Sequence, residues 1–446
     1  MKIPCAERLP FIIAGLAFLQ PALTNIQFNT LTMIATALVL GGKFSLSEIS
    51  RMWLKDKCVS TLSSFFSDAK FSTDEMLHLY ALHVIKLYKP NGGYYCIDDT
   101  MKHHTNFCKW IHGVFVLFDH ALKTNMKAVC IVFLYYSDGD DIKFPINFRI
   151  YYQDTKKMPW QKKKKSVYKT KYDLALEMIE WALDKGFPMG VVLADSWFRS
   201  GPFIEGLKNF GMSYVIEIKS SFKVRMPFTE PMLTAKGKIA KRQYACTYLP
   251  DVFKAIIPFS KCGFAAKESK AEKVLYHAKI ITAQLNSISG KHRIVQSIDP
   301  VKSTTKYLLT NELTWEANKI ISAYSNRWVI EEFFRNAKQL TDMEGATIRS
   351  EQGVTLSLCL VSWIDFLLHF ENHKQSTAEK LPKESLTIPS IVRRAQYWNL
   401  EAFIGRVLKD ANLLKKWLGM ERNNLDRKRK TSNILIDLED CAATCT

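Results

Sequence analysis

Between Tyr324 and Lys338 the chain reads YSNRWVIEEFFRNAK. With no Pro or Gly, this stretch is expected to be one continuous helix. At about 100° per residue, Arg327, Glu331, Arg335 and Lys338 share a stripe with Tyr324. Ile330, Phe333 and Ala337 take the opposite side, and Glu332 points away from both. One face is therefore buried, and the other carries a centred carboxylate among three cations and a phenol. The pattern is that of an amphipathic surface helix with i,i+4 charge pairs, or of a carboxylate that holds a metal ion beside phosphate groups. Two aspartates upstream give the second reading weight. Asp98 follows the apolar run Tyr94-Tyr-Cys-Ile, and Asp195 follows Gly190-Val-Val-Leu-Ala. Read alone, Asp195 is equally a helix N-cap, and Asp98-Asp99 a polar strand end. Read together, aspartates at the ends of adjacent strands are drawn close by the sheet, and a helix packed over it can bring Glu331 to the same point. Oxygen ligands of this kind suit Mg²⁺, with Mn²⁺ able to substitute. A pair of such ions about 4 Å apart activates a water or a 3′-hydroxyl and stabilises a leaving oxygen. Asp98 is preferred to Asp99 because it directly follows the apolar strand.

The elements that must position these groups alternate. Strands are expected at Tyr94–Ile97, His112–Phe118, Ala128–Tyr136, Phe144–Tyr152, Gly190–Ala194 and Ser213–Ile218, with a helix from Tyr172 to about Lys185. That alternation argues for a mixed α/β sheet flanked by helices. Five regions follow. Residues 1–88 are helical, and Leu46–Met52 with Val59–Phe66 form a candidate helix-turn-helix. Residues 89–218 form the first part of the α/β core, 219–311 a β-rich insertion and 312–373 the second part of the core. Thr314 or Asn311 is expected to cap the helix that carries Glu331. Residues 374–446 are a helical region with a basic tail. The run Lys162, Lys163, Lys164 and Lys165 lies in the densest basic stretch, suited to a phosphate backbone. His103, His104, Cys108 and His112 match zinc ligands by type but not by spacing.

Bulk properties narrow the partner. The 446 residues exceed one core, and a net charge of +19 points to a polyanion, nucleic acid before membrane. Ten cysteines without a CxxC read as free thiols in a reducing compartment. The apolar run Phe11–Leu19 is short, bracketed by Pro10 and Pro21, and followed by no small-residue cleavage site. The run Val354–Phe370 contains Asp365 and reads as a buried helix rather than a membrane span.

The order Y-x2-R-x3-E-x6-K, met by Tyr324, Arg327, Glu331 and Lys338, resembles the signature of bacterial insertion-sequence DDE transposases of the IS-four type. Trp328 follows the arginine as it often does there. IDDT at Asp98 is similar to that family's hydrophobic-Asp-x-Thr motif, and LADSWF at Asp195 to its second-aspartate motif. The resemblance covers roughly residues 94–370. It implies a ribonuclease-H-like core with a β insertion, catalytic and metal-holding roles for Asp98, Asp195 and Glu331, and DNA contacts from Tyr324, Arg327 and Lys338. Arg335 shares their face. The implied activity is cut-and-paste transposition: binding of terminal inverted repeats, metal-dependent cleavage and strand transfer into target DNA. A homodimer acting on paired ends in the bacterial cytoplasm, at the nucleoid and away from membranes, is implied with it. The family cuts its second strand through a hairpin while an insertion aromatic stacks on a flipped base; no Trp lies between Trp197 and Trp315 to fill that place. The alternatives are a domesticated, catalytically inactive DNA-binding protein of transposase origin and a nuclease that does not join strands.

Overall fold

Among the described residues, twelve strands carry the architecture: β1 (Tyr94–His104), β2 (Phe115–Asp119), β3 (Thr124–Ser137), β4 (Lys143–Tyr151), β5 (Val191–Ala194), β6 (Ser213–Ile218), β7 (Lys223–Pro227), β8 (Tyr244–Tyr248), β9 (Ser260–Ala265), β10 (Lys273–Leu285), β11 (Lys291–Asp299) and β12 (Thr304–Thr310). The structure is a computed structural model that describes residues 3–53, 58–105, 108–119, 122–153, 168–228, 230–240, 243–256, 260–265, 273–382 and 385–419. Lys162–Lys165 and the basic tail lie outside the described residues.

All twelve strands join one sheet, in the order β2-β3-β1-β5-β6-β12-β11-β10-β7-β8, with β4 also paired to β3 and β9 to β10. The centre is mixed. β1 runs parallel to β5, and β5 parallel to β6. β3 is antiparallel to β1, and β4 to β3. The described residues of 219–311 hold strands β7–β12, and these do not form a sheet of their own. β12 pairs antiparallel with β6, so the insertion continues the central sheet edge to edge.

The α-helices around this sheet include α1 (Pro10–Gly15), α2 (Asn25–Gly41), α3 (Leu46–Arg51), α4 (Val59–Ser67), α5 (Thr73–Tyr88), α6 (Lys171–Asp184), α7 (Gly201–Asn209), α8 (Leu249–Ile256), α9 (Ala317–Ser325), α10 (Trp328–Leu340), α11 (Glu351–Ala378) and α12 (Ile388–Lys409). Capping fixes several ends. A Thr24–Gln27 capping box starts α2, which stops at left-handed Gly42. A Thr170–Asp173 box starts α6. The apolar run near the N-terminus is folded inward, with Ile12, Leu16 and Leu19 fully buried.

α11 is the central helix, buried on all sides from Leu356 to His369. By length and composition it could cross a membrane, but 89% of its most apolar window is buried inside the fold. Its one acid in that run, Asp365, accepts from Tyr135 Oη at 2.9 Å, and Asp365 Oδ1 faces His369 Nε2 at 3.8 Å. Burial pushes the Asp365 carboxyl up to about 7, against the pull of the Tyr135 hydrogen bond and of Lys143, with Glu332 adding to the rise. A folded-state value above the unfolded one, about 3.9, means that the unfolded chain ionises first. This group therefore costs stability progressively from about pH 4 to about pH 7, and the full cost remains above that. Asp365→Asn keeps an acceptor for Tyr135 and removes the charge. It is expected to stabilise the protein at pH 8 by on the order of 3 kcal/mol, with the gain vanishing near pH 4. Thermal melts of the two proteins across that range check it; a gain independent of pH would refute the buried charge as its source.

Candidate active site

Strand register builds the first part of the site. Ile97 pairs with Ala194, and Ala194 with Ile216. One step further along these three parallel strands lie Asp98, Asp195 and Glu217, so three carboxylates stand side by side where the β1–β5 pairing ends. β1 itself does not end there. It continues to His104, held by its antiparallel pairing with β3 over the whole length. The strand expected to finish at Ile97 is thus longer, and the aspartates lie within it. Alternation along β1 sends the two neighbours to opposite faces. Asp98 Oδ2 meets Arg327 Nη1 at 3.1 Å, whereas Asp99 Oδ2 accepts from Lys171 Nζ at 2.8 Å.

Asp195 caps a single 3₁₀ turn, Ser196–Phe198, by accepting from the Trp197 amide at 2.9 Å. The N-cap geometry and the place beside Asp98 are both real.

Glu331 arrives from the helical side. The expected continuous helix is broken: α9 ends at Ser325 and α10 begins at Trp328. The cause is Asn326, whose Nδ2 bonds back to the Ser322 and Ala323 carbonyls, while Arg327, Val329 and Ile330 amides make tight i→i−3 bonds. The turn places Arg327 at the start of α10, where its guanidinium bridges Asp98 and Glu331. α9 starts at Ala317 rather than at Thr314. Asn311, expected as a cap, instead ties down β6 by bonding the Tyr214 amide and the Met212 carbonyl.

The remaining stripe residues are partly engaged within the protein. Tyr324 is 8% exposed and donates its hydroxyl to Glu217 Oε2 at 2.8 Å. Lys306 Nζ, from β12, approaches the same oxygen at 3.2 Å. Lys338 pairs with Glu344 at 3.1 Å. Glu344 is also 3.1 Å from His103 Nδ1, whose Nε2 lies 2.7 Å from Asp119. Glu332, off the stripe, pairs with Lys143 at 2.9 Å. Trp328 is 54% exposed and Arg335 lies at the surface, 3.8 Å from Glu332. His112 bonds Tyr152 at 2.8 Å, with a T-shaped ring contact. It does not open a strand, since Gly113 with φ of 80° turns the chain before β2.

The electrostatics follow from crowding. Burial and the neighbouring Asp195 push the Asp98 carboxyl up to about 7, against the pull of Arg327. Burial also raises Asp195. Burial disfavours the Arg327 cation, yet the carboxylates of Glu331 and Asp98 hold it above its ordinary value. Burial raises Tyr324 well above an ordinary phenol, so it stays neutral. The donor set of three carboxylates and the unfavourable charge on Asp98 suit a hard divalent cation. Among the described residues, no three His, Cys, Asp or Glu side chains are close enough to share an ion. Arg327 supplies the balancing positive charge between Asp98 and Glu331.

Comparison with protein families shows which family the chain belongs to. A family model described as DDE superfamily endonuclease matches residues 19–249, just over half of the chain. The chain belongs to the DDE superfamily endonucleases. A second model, Transposase DDE domain, matches residues 169–364 and includes α10 with its glutamate. No curated protein matches the sequence. Membership of these families implies nuclease-type chemistry on DNA.

In this DDE endonuclease, sequence reasoning missed Glu217, Lys306 and Glu344. A signal existed for the first: YVIEIKS places a lone acid inside an apolar strand beside β5. Nothing in the sequence pairs Lys306 or Glu344 with the helix at 324–338. A cleft of about 460 Å³ opens elsewhere, among Asp74, Arg149, Lys169 and Glu177.

Proposed function

We propose that this endonuclease is a transposase that binds the terminal inverted repeats of an insertion sequence, cleaves DNA there in a metal-dependent manner and transfers the strand to target DNA. The observation that carries the reading is the meeting of Asp98 and Glu331 on one guanidinium, with Asp195 next to Asp98 on the adjacent parallel strand. Strand order β4-β3-β1-β5-β6 supports a ribonuclease-H-like core beneath these acids. The Tyr324, Arg327, Glu331 and Lys338 spacing supports the IS-four type, acting as a homodimer on paired ends in a bacterial cytoplasm. α4, with buried Leu62, Phe65 and Phe66 and an exposed polar face, supports the helix-turn-helix reading.

Asp98, Asp195 and Glu331 would hold Mg²⁺ or Mn²⁺. The chemistry such ions supply when bound is activation of a water or a 3′-hydroxyl and stabilisation of the leaving oxygen. The protein's own part is placement. The sheet fixes Asp98 and Asp195, α10 delivers Glu331, and Arg327 keeps these charges together before an ion arrives. Released from the acids, Arg327 has a planar fork for a phosphate. Lys338 reaches DNA by giving up Glu344. The exposed Trp328 and Arg335 extend that face.

The test is cleavage of a labelled duplex carrying the flanking element's own end, with Mg²⁺, Mn²⁺ or EDTA. Cutting at the element boundary in either metal, and none in EDTA, is expected. Asp195→Ala is expected to bind the end with unchanged affinity and to cut at least about a thousandfold more slowly. Metal-dependent cutting by that variant within about tenfold of the wild-type rate would remove Asp195 from its role. Tight end binding by the wild type without cutting would replace the transposase reading by that of an inactive DNA-binding descendant.

A further inference from the structure

We infer that Lys306 and Tyr324 form a binding site for one backbone phosphate at the end of the acid row, and that Glu217 occupies this site in the free protein as an internal substitute for that phosphate. The inference rests on the reading of the chain as a DNA-binding enzyme. Glu217 Oε2 receives two donors from two different elements: the Tyr324 hydroxyl from α9 at 2.8 Å and the Lys306 ammonium from β12 at 3.2 Å. A neutral O–H and a cation converging on one anionic oxygen is the donor set that DNA-binding proteins present to a phosphate oxygen. The Lys306 ammonium also lies 5.4 Å from the centre of the Tyr324 ring, which aligns the two donors.

A purely structural ion pair accounts poorly for this arrangement. The Lys306 side chain is 47% exposed and that of Glu217 26%, and exposed pairs contribute little to stability. The position also has a cost. Glu217 continues the row of Asp98 and Asp195. A third acid in that row is unfavourable on its own, but it is useful as a placeholder that leaves when DNA arrives.

The geometry also says what can displace it. A phenol that donates to Glu217 offers only lone pairs outward, and these repel a phosphate oxygen. Entry of DNA requires the Tyr324 O–H to rotate from carboxylate to phosphate and the Lys306 ammonium to follow. An isolated phosphate gains too little to replace a carboxylate already held by two donors. A duplex backbone anchored by other contacts can do so, so the latch selects for polymer over free phosphate.

The experiment measures binding of a labelled random-sequence duplex to the full-length chain in EDTA, over a range of salt, so that cutting plays no part. Glu217→Gln keeps the size and an acceptor for Tyr324 but removes the charge. It is expected to bind about tenfold more tightly at low salt. Lys306→Gln is expected to bind more weakly, with a log–log salt slope shallower by about one. In the double variant the gain from Glu217→Gln should disappear. Unchanged or weaker binding by Glu217→Gln would overturn the inference. So would a gain that persists in the double variant, since removal of any negative charge would then explain it. Should Glu217→Gln fail to fold, as judged by its thermal melt, the slope of Lys306→Gln decides, and an unchanged slope overturns the site. A wild type that binds no duplex overturns both this inference and the proposed function. A wild type that shows the latch but never cuts with Mg²⁺ overturns the transposase reading alone.

Discussion

Asp98→Asn is expected to slow metal-dependent strand cutting at least about a thousandfold, some 4 kcal/mol of barrier, while DNA binding in EDTA is retained. Asp99→Asn is expected to leave cutting within about threefold. The two residues are adjacent and chemically identical, and only the pleat of β1 separates them. Asp98 shares Arg327 with Glu331, whereas Asp99 is turned to the opposite face, against Lys171 and, at 3.5 Å, the Cys130 thiol. Asp99→Asn should instead appear in stability. The Asp99 and Lys171 side chains are 17% and 14% exposed, and breaking so buried a pair costs on the order of 3 kcal/mol. Cleavage time courses and thermal melts of both variants separate the roles. If Asp99→Asn stops cutting and Asp98→Asn does not, the ligand has been assigned to the wrong face of the strand.

The second large effect is expected at Arg327. Its side chain is 11% exposed and holds Asp98 and Glu331 at once. Arg327→Ala leaves two partly buried carboxylates facing each other, with Asp195 beside Asp98, and no cation between them. A loss of about 3 kcal/mol is expected in EDTA. Addition of Mg²⁺ should restore part of it, because an ion bound only by the folded state stabilises that state and takes over the charge that the guanidinium balanced. The wild type, which must first move Arg327 aside, should gain less from the same addition. Thermal unfolding with and without Mg²⁺ reads this directly. A variant that melts at the same temperature in both conditions would show that the carboxylates do not gather around one positive charge.

The strands and their order of appearance were legible because their apolar runs are long and bounded by turns: β6 falls on the expected Ser213–Ile218, and α11 contains the expected buried run. The stripe on α10 was legible for the same reason, since its helical period is undisturbed after Trp328. Asn326 was not. A polar side chain that bonds back onto its own helix looks, in sequence, like any other helical asparagine, so the wheel drawn from Tyr324 carried a phase error into everything beyond it. Tyr324 therefore came out on the open stripe but lies buried on Glu217. The extent of β1 beyond Asp98 was hidden as well. Lys102 and His104 are polar yet buried, and no local pattern announces polar residues kept in a strand by a partner, β3, that is read much later. Lys306 was invisible because its partners Glu217 and Tyr324 come from other elements, and Glu344, close in sequence to its partner Lys338, lies in a turn beyond the helix where no helical period relates the two.

The Asp98–Arg327 contact joins residues 229 positions apart. Synthesis of the ribosome-bound chain therefore exposes the first two acids long before the third exists. β12 returns beside β6 only after the whole insertion, a non-local closure of the kind that slows folding. A nascent chain that has made Asp98 and Asp195 still lacks Arg327 and the helix that carries Glu331. The contacts of Arg327 with Asp98 and Glu331 therefore form only after about three-quarters of the 446 residues have been made.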